Sequence, residues 1–374
     1  MLSRLSKNPL QVQTGRNLHI DFYKNRILEK YAAKNPVPVT LRQLTVFGRT
    51  ESLNEEKLIR SANYLREELP VRLAHRIRMF QQLPFVVGTN PHIEMVYRLY
   101  WEAFEQFRNY PPVHNMEENL EFCEFVQDQL NTHAIVIPHL VVGMYESQSH
   151  VRASDCNKFM NETLRSRISR RVLAEQHIAL SSVQKGSKPA SDGMIGILNT
   201  SCKATEVVHK CFRLAGELFS KTYDAEPPEL IVDGHLNASF VYIPDHIEYI
   251  MYELFKNSMK HTHRTHSDKN PLPPIRVTIG VGGGIDKETM NNLWNFVKPS
   301  SEELYQQKRL TGKIEDAIPI DLPLGIGLPL SRVYANYWGG SLSLYSMFGY
   351  GTDAYVTICT GNSLENLSFI EDAA

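Results

Sequence analysis

The sequence predicts an α+β fold, with an N-terminal helical bundle of the four-helix type followed by a C-terminal two-layer α/β sandwich. Three observations predict it. Four long stretches in the first half carry apolar residues at spacings of three and four. Five shorter runs in the second half read as strands, several with period-two alternation, and two amphipathic helical stretches interleave with them. Between the halves, residues 182–193 (SVQKGSKPASDG) form a polar stretch bearing Gly and Pro.

The bundle is expected over residues 21–185, the sandwich over 194–362 and a tail over 363–374. Bundle helices are expected at 55–80, 91–109, 116–145 and 154–181, with breaks at Leu83-Pro84 and Pro111-Pro112. In the second half, helices are expected at 205–221 and 247–261. Strands are expected at 230–232, 240–243, 276–279, 341–346 and 354–359, forming one mixed sheet whose last hairpin turns at Gly349 and Gly351. Residues 298–321 are polar and charged with little periodicity, the pattern of a lid, though a plain disordered insertion reads the same way.

Composition narrows the function. A chain of 374 residues, 42% hydrophobic and 22% charged, reads as soluble and globular and is long enough for two domains. A formal net charge of −1 argues against a general electrostatic role on nucleic acid or membrane. No apolar run approaches the ~20 residues a bilayer span needs. The five cysteines (Cys123, Cys156, Cys202, Cys211, Cys359) are scattered without a Cys-x-x-Cys pair, as expected of buried thiols in a reducing compartment. Residues 1–20 carry Arg4, Lys7 and Arg16 and no acid, which fits a short matrix-targeting segment.

The chemistry concentrates in residues 252–259 (YELFKNSM). Glu253 and Asn257 stand at i and i+4, so one helical face carries both, flanking the apolar stripe of Ile247, Ile250, Met251, Leu254, Phe255 and Met259. A carboxamide oxygen suits Mg²⁺, and a carboxylate one turn away can orient a hydroxyl or water for phosphoryl transfer. Lys256 and Lys260 add positive charge on the same side, although lysines on a helical face are more often merely solvated. Downstream, Gly282-Gly283-Gly284 follows a strand-like run at 275–279, and Gly325-Ile326-Gly327-Leu328-Pro329 opens an amphipathic stretch. Glycines there let backbone N–H groups approach phosphate, while turns alone use the same residues.

This ordered trio resembles the nucleotide-binding fold shared by gyrase-type ATPases, histidine kinases and mismatch-repair ATPases, the GHKL superfamily. Residues 324–340 (LGIGLPLSRVYANYWGG) and 341–354 (SLSLYSMFGYGTDA) resemble the C-terminal half of the mitochondrial pyruvate and branched-chain 2-oxoacid dehydrogenase kinases. So do 73–104 (LAHRIRMFQQLPFVVGTNPHIEMVYRLYWEAF) and 164–180 (LRSRISRRVLAEQHIAL), and the match runs from about residue 21 to residue 353. The resemblance implies an ATP-dependent protein serine kinase of the mitochondrial matrix. Its substrate would be the α subunit of a 2-oxoacid dehydrogenase, most readily pyruvate dehydrogenase, which it would inactivate. It also implies docking to lipoyl domains of the acyltransferase core and assembly as a homodimer, or a heterodimer with a related kinase.

Carried over residue by residue, the resemblance makes Glu253 the base toward serine, with Lys256 beside it as a catalytic residue. Asn257 becomes the Mg²⁺ ligand. Gly282, Gly284, Gly325, Gly327 and Leu328 become phosphate-cradling or hinge positions, and Gly351 with Thr352 lies near the adenine. In the bundle it places a 2-oxoacid effector pocket at His133, Arg167 and Arg171, where paired guanidiniums suit a carboxylate. The plain alternative for that pair is helical ion pairing with Glu162 or Glu175. Relatives often carry a further Arg where Leu130 stands. His177 resembles a histidine kinase's phosphoacceptor only superficially and reads as structural.

The sequence also departs from the family pattern. Relatives carry Asp-x-Gly-Gly-Gly, whose aspartate reads the adenine amino group, but Gly280 and Val281 precede Gly282 here, and Asp286 lies on the wrong side. Roughly a dozen residues, a strand and the aspartate, are absent by comparison, leaving a gap expected in the sheet. No Trp follows Trp338, so the family's Asp-Trp tail is absent too. These departures imply weak ATP binding. They also frame an alternative reading, a catalytically impaired pseudokinase or a splice or gene-model variant that occupies lipoyl domains or a related kinase.

Overall fold

Side-chain caps set where the bundle helices begin. In the computed structural model, which describes residues 25–49, 53–184, 193–266, 271–280, 325–347, 351–360 and 363–367, residues 25–32 form α1. Thr40 closes a capping box with Gln43 at the start of α2 (Leu41–Phe47). Asparagines then cap three helices in turn: Asn54 for α3 (Glu55–Gln81), Asn90 for α5 (Pro91–Asn109) and Asn115 for α6 (Met116–Thr132). Each Asn side chain accepts a backbone N–H that the first turn leaves without a helical partner. The short α4 (Phe85–Gly88) follows the predicted break at Pro84.

The helix expected over 116–145 is interrupted. A 3₁₀ turn at His133–Ile135 separates α6 from α7 (Val136–Glu146). Pro138 explains it, because a proline lacks the N–H a continuing helix requires but is tolerated in a first turn. The long α8 (Ala153–Gln184) packs against α3, α6 and α7, completing the bundle.

In the second half, α9 (Ala204–Tyr223) lies on α10 (Pro244–Thr265), and α10 in turn contacts α11 (Gly327–Tyr337). The expected single mixed sheet is replaced, among the described residues, by three small ones. The strands β1 (Met194–Ile195), β2 (Leu198–Lys203) and β4 (Ser239–Tyr242) pair antiparallel. Two parallel strands, β3 (Leu230–Gly234) and β5 (Ile275–Ile279), form the second sheet, with Leu230 opposite Ile275. A hairpin of β6 (Ser341–Met347) and β7 (Gly351–Thr357) forms the third. Helices therefore dominate an α+β chain with small sheets. The targeting segment, Gly282, Gly283, Gly284, the polar stretch 298–321 and Gly349 lie outside the described residues.

One apolar cluster runs through both halves, from Leu28 in α1 to Tyr337 and Trp338 at the end of α11. A buried ionic clamp stitches the same elements together. Arg72 of α3 donates from Nε to Glu68 at 2.8 Å and from Nη2 to Glu365 at 2.8 Å. The same guanidinium reaches Ser169 of α8 and the Val37 carbonyl. Glu365 also accepts from the Tyr337 hydroxyl and from the Val39 N–H. The segment expected to be a tail is thus, at Glu365, 2% exposed and part of the interior. Burial opposes the charge on Arg72, yet the Glu365 carboxylate overrides it and holds the guanidinium pKa above its usual value.

Removing one partner of such a pair strands a buried charge, at a cost of about 3–5 kcal/mol. Glu365→Ala is expected to destabilise the chain by about that much in urea unfolding, while Glu67→Ala, on the exposed side of α3, changes little. Equal midpoints for the two variants would contradict the clamp.

Candidate active site

Helix α10 owes its start to Pro244 at its first turn, with Asp245 complementing the helix dipole. Its apolar stripe includes Ile247, Ile250, Leu254 and Met259, all buried, and this rotation turns Glu253 toward α11. Glu253 is 7% exposed, more deeply set than a residue flanking a cleft would be. Lys256 donates to its Oε1 at 2.6 Å. The Oε2 side lies against Gly327, the first residue of α11, so closely that a Cβ on Gly327 would overlap the carboxylate. Gly327 is therefore required by close approach, and Gly325 by its φ of 68°. A carboxylate at a helix N-terminus is favoured by the backbone N–H groups there.

Tyr249, one turn before Glu253, packs its ring on Tyr334 of α11 with centroids 5.0 Å apart. Burial, and then the Glu253 charge, push the Tyr249 pKa well up, so it remains a phenol. Asn257 lies one turn after Glu253 and is half-buried. Leu328 packs on a small apolar cluster containing Ile250, Leu254, Leu342 and Leu344. Gly351 and Thr352 are exposed on β7, where the Thr352 and Ser346 hydroxyls meet at 2.8 Å across the hairpin. The structure thus gathers Glu253, Lys256 and Gly327 at one point, with Asn257 and Leu328 on the same two helices. Gly282 and Gly284 fall outside the described residues. Among the described residues, no group of three or more His, Cys, Asp or Glu side chains is placed to hold a metal ion.

The bundle carries a second site. A half-open pocket is lined by His133, Arg167 and Arg171 together, and also by Arg170. Arg170 stands three residues after Arg167, a spacing that the pair reading passed over. Arg171 is bonded to Glu175, as its helical spacing allows, whereas Glu162 turns instead to Arg76 at 3.5 Å. Arg170 lies over the Tyr100 ring at 4.5 Å. His133 donates from Nε2 to the Leu99 carbonyl at 3.2 Å. Burial, reinforced by Arg170 and Arg167, lowers its pKa to about 4, so the ring is neutral. Leu130 forms part of the apolar wall. His177 is buried with Nδ1 3.0 Å from the Ser61 hydroxyl, a packed structural histidine.

Comparison with known proteins assigns the family. A family model described as mitochondrial branched-chain alpha-ketoacid dehydrogenase kinase matches residues 38–199. The rat mitochondrial pyruvate dehydrogenase (acetyl-transferring) kinase isozyme 1 is 30% identical over 92% of this chain and 82% of its own length. The chain belongs to the mitochondrial 2-oxoacid dehydrogenase kinases. Its similarity extends to the pyruvate dehydrogenase kinase 2 of Saccharomyces cerevisiae, 27% identical over 92% of this chain and 86% of the yeast protein. The Arabidopsis thaliana pyruvate dehydrogenase kinase is 29% identical over 91% of this chain and 95% of its own. Membership in a kinase family entails use of ATP. Among the described residues, no helix is long and apolar enough to cross a membrane.

The buried imidazoles make stability pH-dependent. Burial lowers the pKa of His177 to about 4, below the ordinary 6.5, so the unfolded chain binds its proton more readily. The contribution is complete above about pH 6.5 and is lost as pH falls through 4. Thermal midpoints should fall between pH 6.5 and 4, and the fall should be shallower in His177→Gln. Parallel curves for the two proteins would contradict this.

Proposed function

We propose that this chain is an ATP-dependent serine kinase that phosphorylates and inactivates the α subunit of pyruvate dehydrogenase in the mitochondrial matrix. The observation that carries the reading is the Glu253 carboxylate, held by Lys256 against the glycine-opened start of α11. Glu253 orients the acceptor serine hydroxyl and takes up its proton. Lys256 steadies that carboxylate. The glycines at 325 and 327 keep side chains away from the α11 N-terminus, where phosphate oxygens would bind beside the Glu253 carboxylate that abuts Gly327. Asn257 offers a carboxamide oxygen to Mg²⁺, and Gly282, Gly284, Leu328, Gly351 and Thr352 complete the nucleotide site. When bound, ATP supplies the γ-phosphoryl group. Phosphate added to the target serine brings about −1.5 to −2 charge, enough to obstruct a substrate channel.

In this reading residues 21–185 are a regulatory bundle and 194–362 a GHKL-type kinase domain. The bundle would dock to lipoyl domains, and two kinase chains would pair as dimers. The pocket at His133, Arg167 and Arg171 senses a 2-oxoacid. The sequence before Gly282 supports the absence of one strand and its adenine-binding aspartate, since Gly280 and Val281 stand there. Loss of that contact weakens nucleotide binding by about 1.5–3 kcal/mol. The pseudokinase alternative has no observation of its own in its favour.

The test is Mg²⁺-ATP titration and serine phosphorylation with the purified chain, alongside Asn257→Ala and Glu253→Gln. Weak ATP binding that Asn257→Ala abolishes is expected, with Glu253→Gln losing phosphorylation at least about 100-fold while still binding ATP. Undiminished phosphorylation by Glu253→Gln would remove the assigned base.

A further inference from the structure

The charges lining the bundle pocket do not match a simple monocarboxylate. Three guanidiniums on one face of α8, Arg167, Arg170 and Arg171, converge on it. Among the described residues, Arg171 alone of the three is neutralised there, by Glu175. The neighbouring Arg76 is already engaged with Glu162. Arg167 Nε and Arg170 Nη1 are both buried and lack a hydrogen-bond partner among the described residues. His133 adds no charge while its ring is neutral, and Asp245 of α10, the other acid near Glu175, is exposed. Two cations therefore line the pocket without an anionic partner among the described residues. Buried guanidiniums left in that state are costly, and a ligand bearing two anionic groups would satisfy both. Residues three apart on a helix have Cβ atoms roughly 5–6 Å from one another, so both arginine heads can reach one small ligand. Two carboxylates on a short carbon chain would pair with both heads at once. Opposite them, Leu69, Leu73, Phe107, Val126 and Leu130 supply an apolar wall for the stem.

We infer that the pocket is selective for a small dicarboxylate, with Arg170 as the residue that sets the preference for a second carboxylate. The inference rests on the effector-pocket reading proposed above. The stacking of Arg170 on Tyr100 fixes the guanidinium plane beside the pocket.

Isothermal titration of the full chain with 2-oxoglutarate and with 2-oxopentanoate, two acids of equal chain length, separates the possibilities. The dicarboxylate should bind at least about tenfold more tightly, the effect of one added charge-assisted hydrogen bond. In Arg170→Leu the ratio should fall to about one, through loss of dicarboxylate affinity alone, while Arg170→Lys retains the preference. Circular dichroism confirms that each variant is folded. Equal affinities of the native chain for the two acids would overturn the dicarboxylate selectivity and leave the pocket standing. Binding of neither acid, or binding that Arg167→Ala does not change, would overturn the pocket reading and the inference with it. Inorganic phosphate outcompeting the dicarboxylate would overturn the ligand class.

Discussion

The contact between Arg72 and Glu365 governs more of this molecule than any other. It joins residues 293 apart in sequence, and each carries further partners. Arg72 gathers Glu68, Ser169 and the Val37 carbonyl, while Glu365 gathers Val39 and Tyr337. Five stretches of chain therefore meet at one buried pair. Such pairs stabilise little relative to an apolar core of the same shape, because desolvation offsets the attraction. Their value lies in specificity. A guanidinium with fixed donors accepts only one arrangement of α3, α8, the 37–39 segment and the chain after β7.

The clamp matters for chemistry because Tyr337 is the last residue of α11, whose first residue faces Glu253. That helix behaves as a bar held at three places. Gly327 abuts the carboxylate, Tyr334 packs on His246 and Tyr249, and Tyr337 is bonded into the clamp. Arg167 and Arg171 act electrostatically on Tyr334, so the arginine-lined pocket borders the same bar. Glu253, the arginine-lined pocket and the clamp thus all border one helix, a physical connection between them.

Local features of the site were legible because they are written at helical spacing. Glu253 and Asn257 show themselves as i and i+4, and the stripe beside them fixes which way α10 faces. Pro244 and the asparagine caps mark helix starts in the same local way. Features that depend on distant partners were not legible. Nothing near Glu365 distinguishes it from an acid in a tail, because its meaning comes from Arg72. The strand β2 (LNTSCK) lacks the apolar alternation of a strand and is held by pairing with β4. Arg170 is legible at the same level, since 167, 170 and 171 share one helical face, although it stands outside the one-turn spacing. The division of the sheet is also long-range, decided by which strands reach one another.

The most direct test of this account is amide hydrogen exchange in Glu365→Gln, a change that keeps shape and removes charge. If the clamp holds the bar, amides of α11 and of Leu41–Phe47 lose protection, while those of Pro91–Asn109 are unaffected. Unchanged protection across α11 would mean that the helix is fixed by its apolar packing alone, and the clamp would no longer explain how Glu253 is positioned.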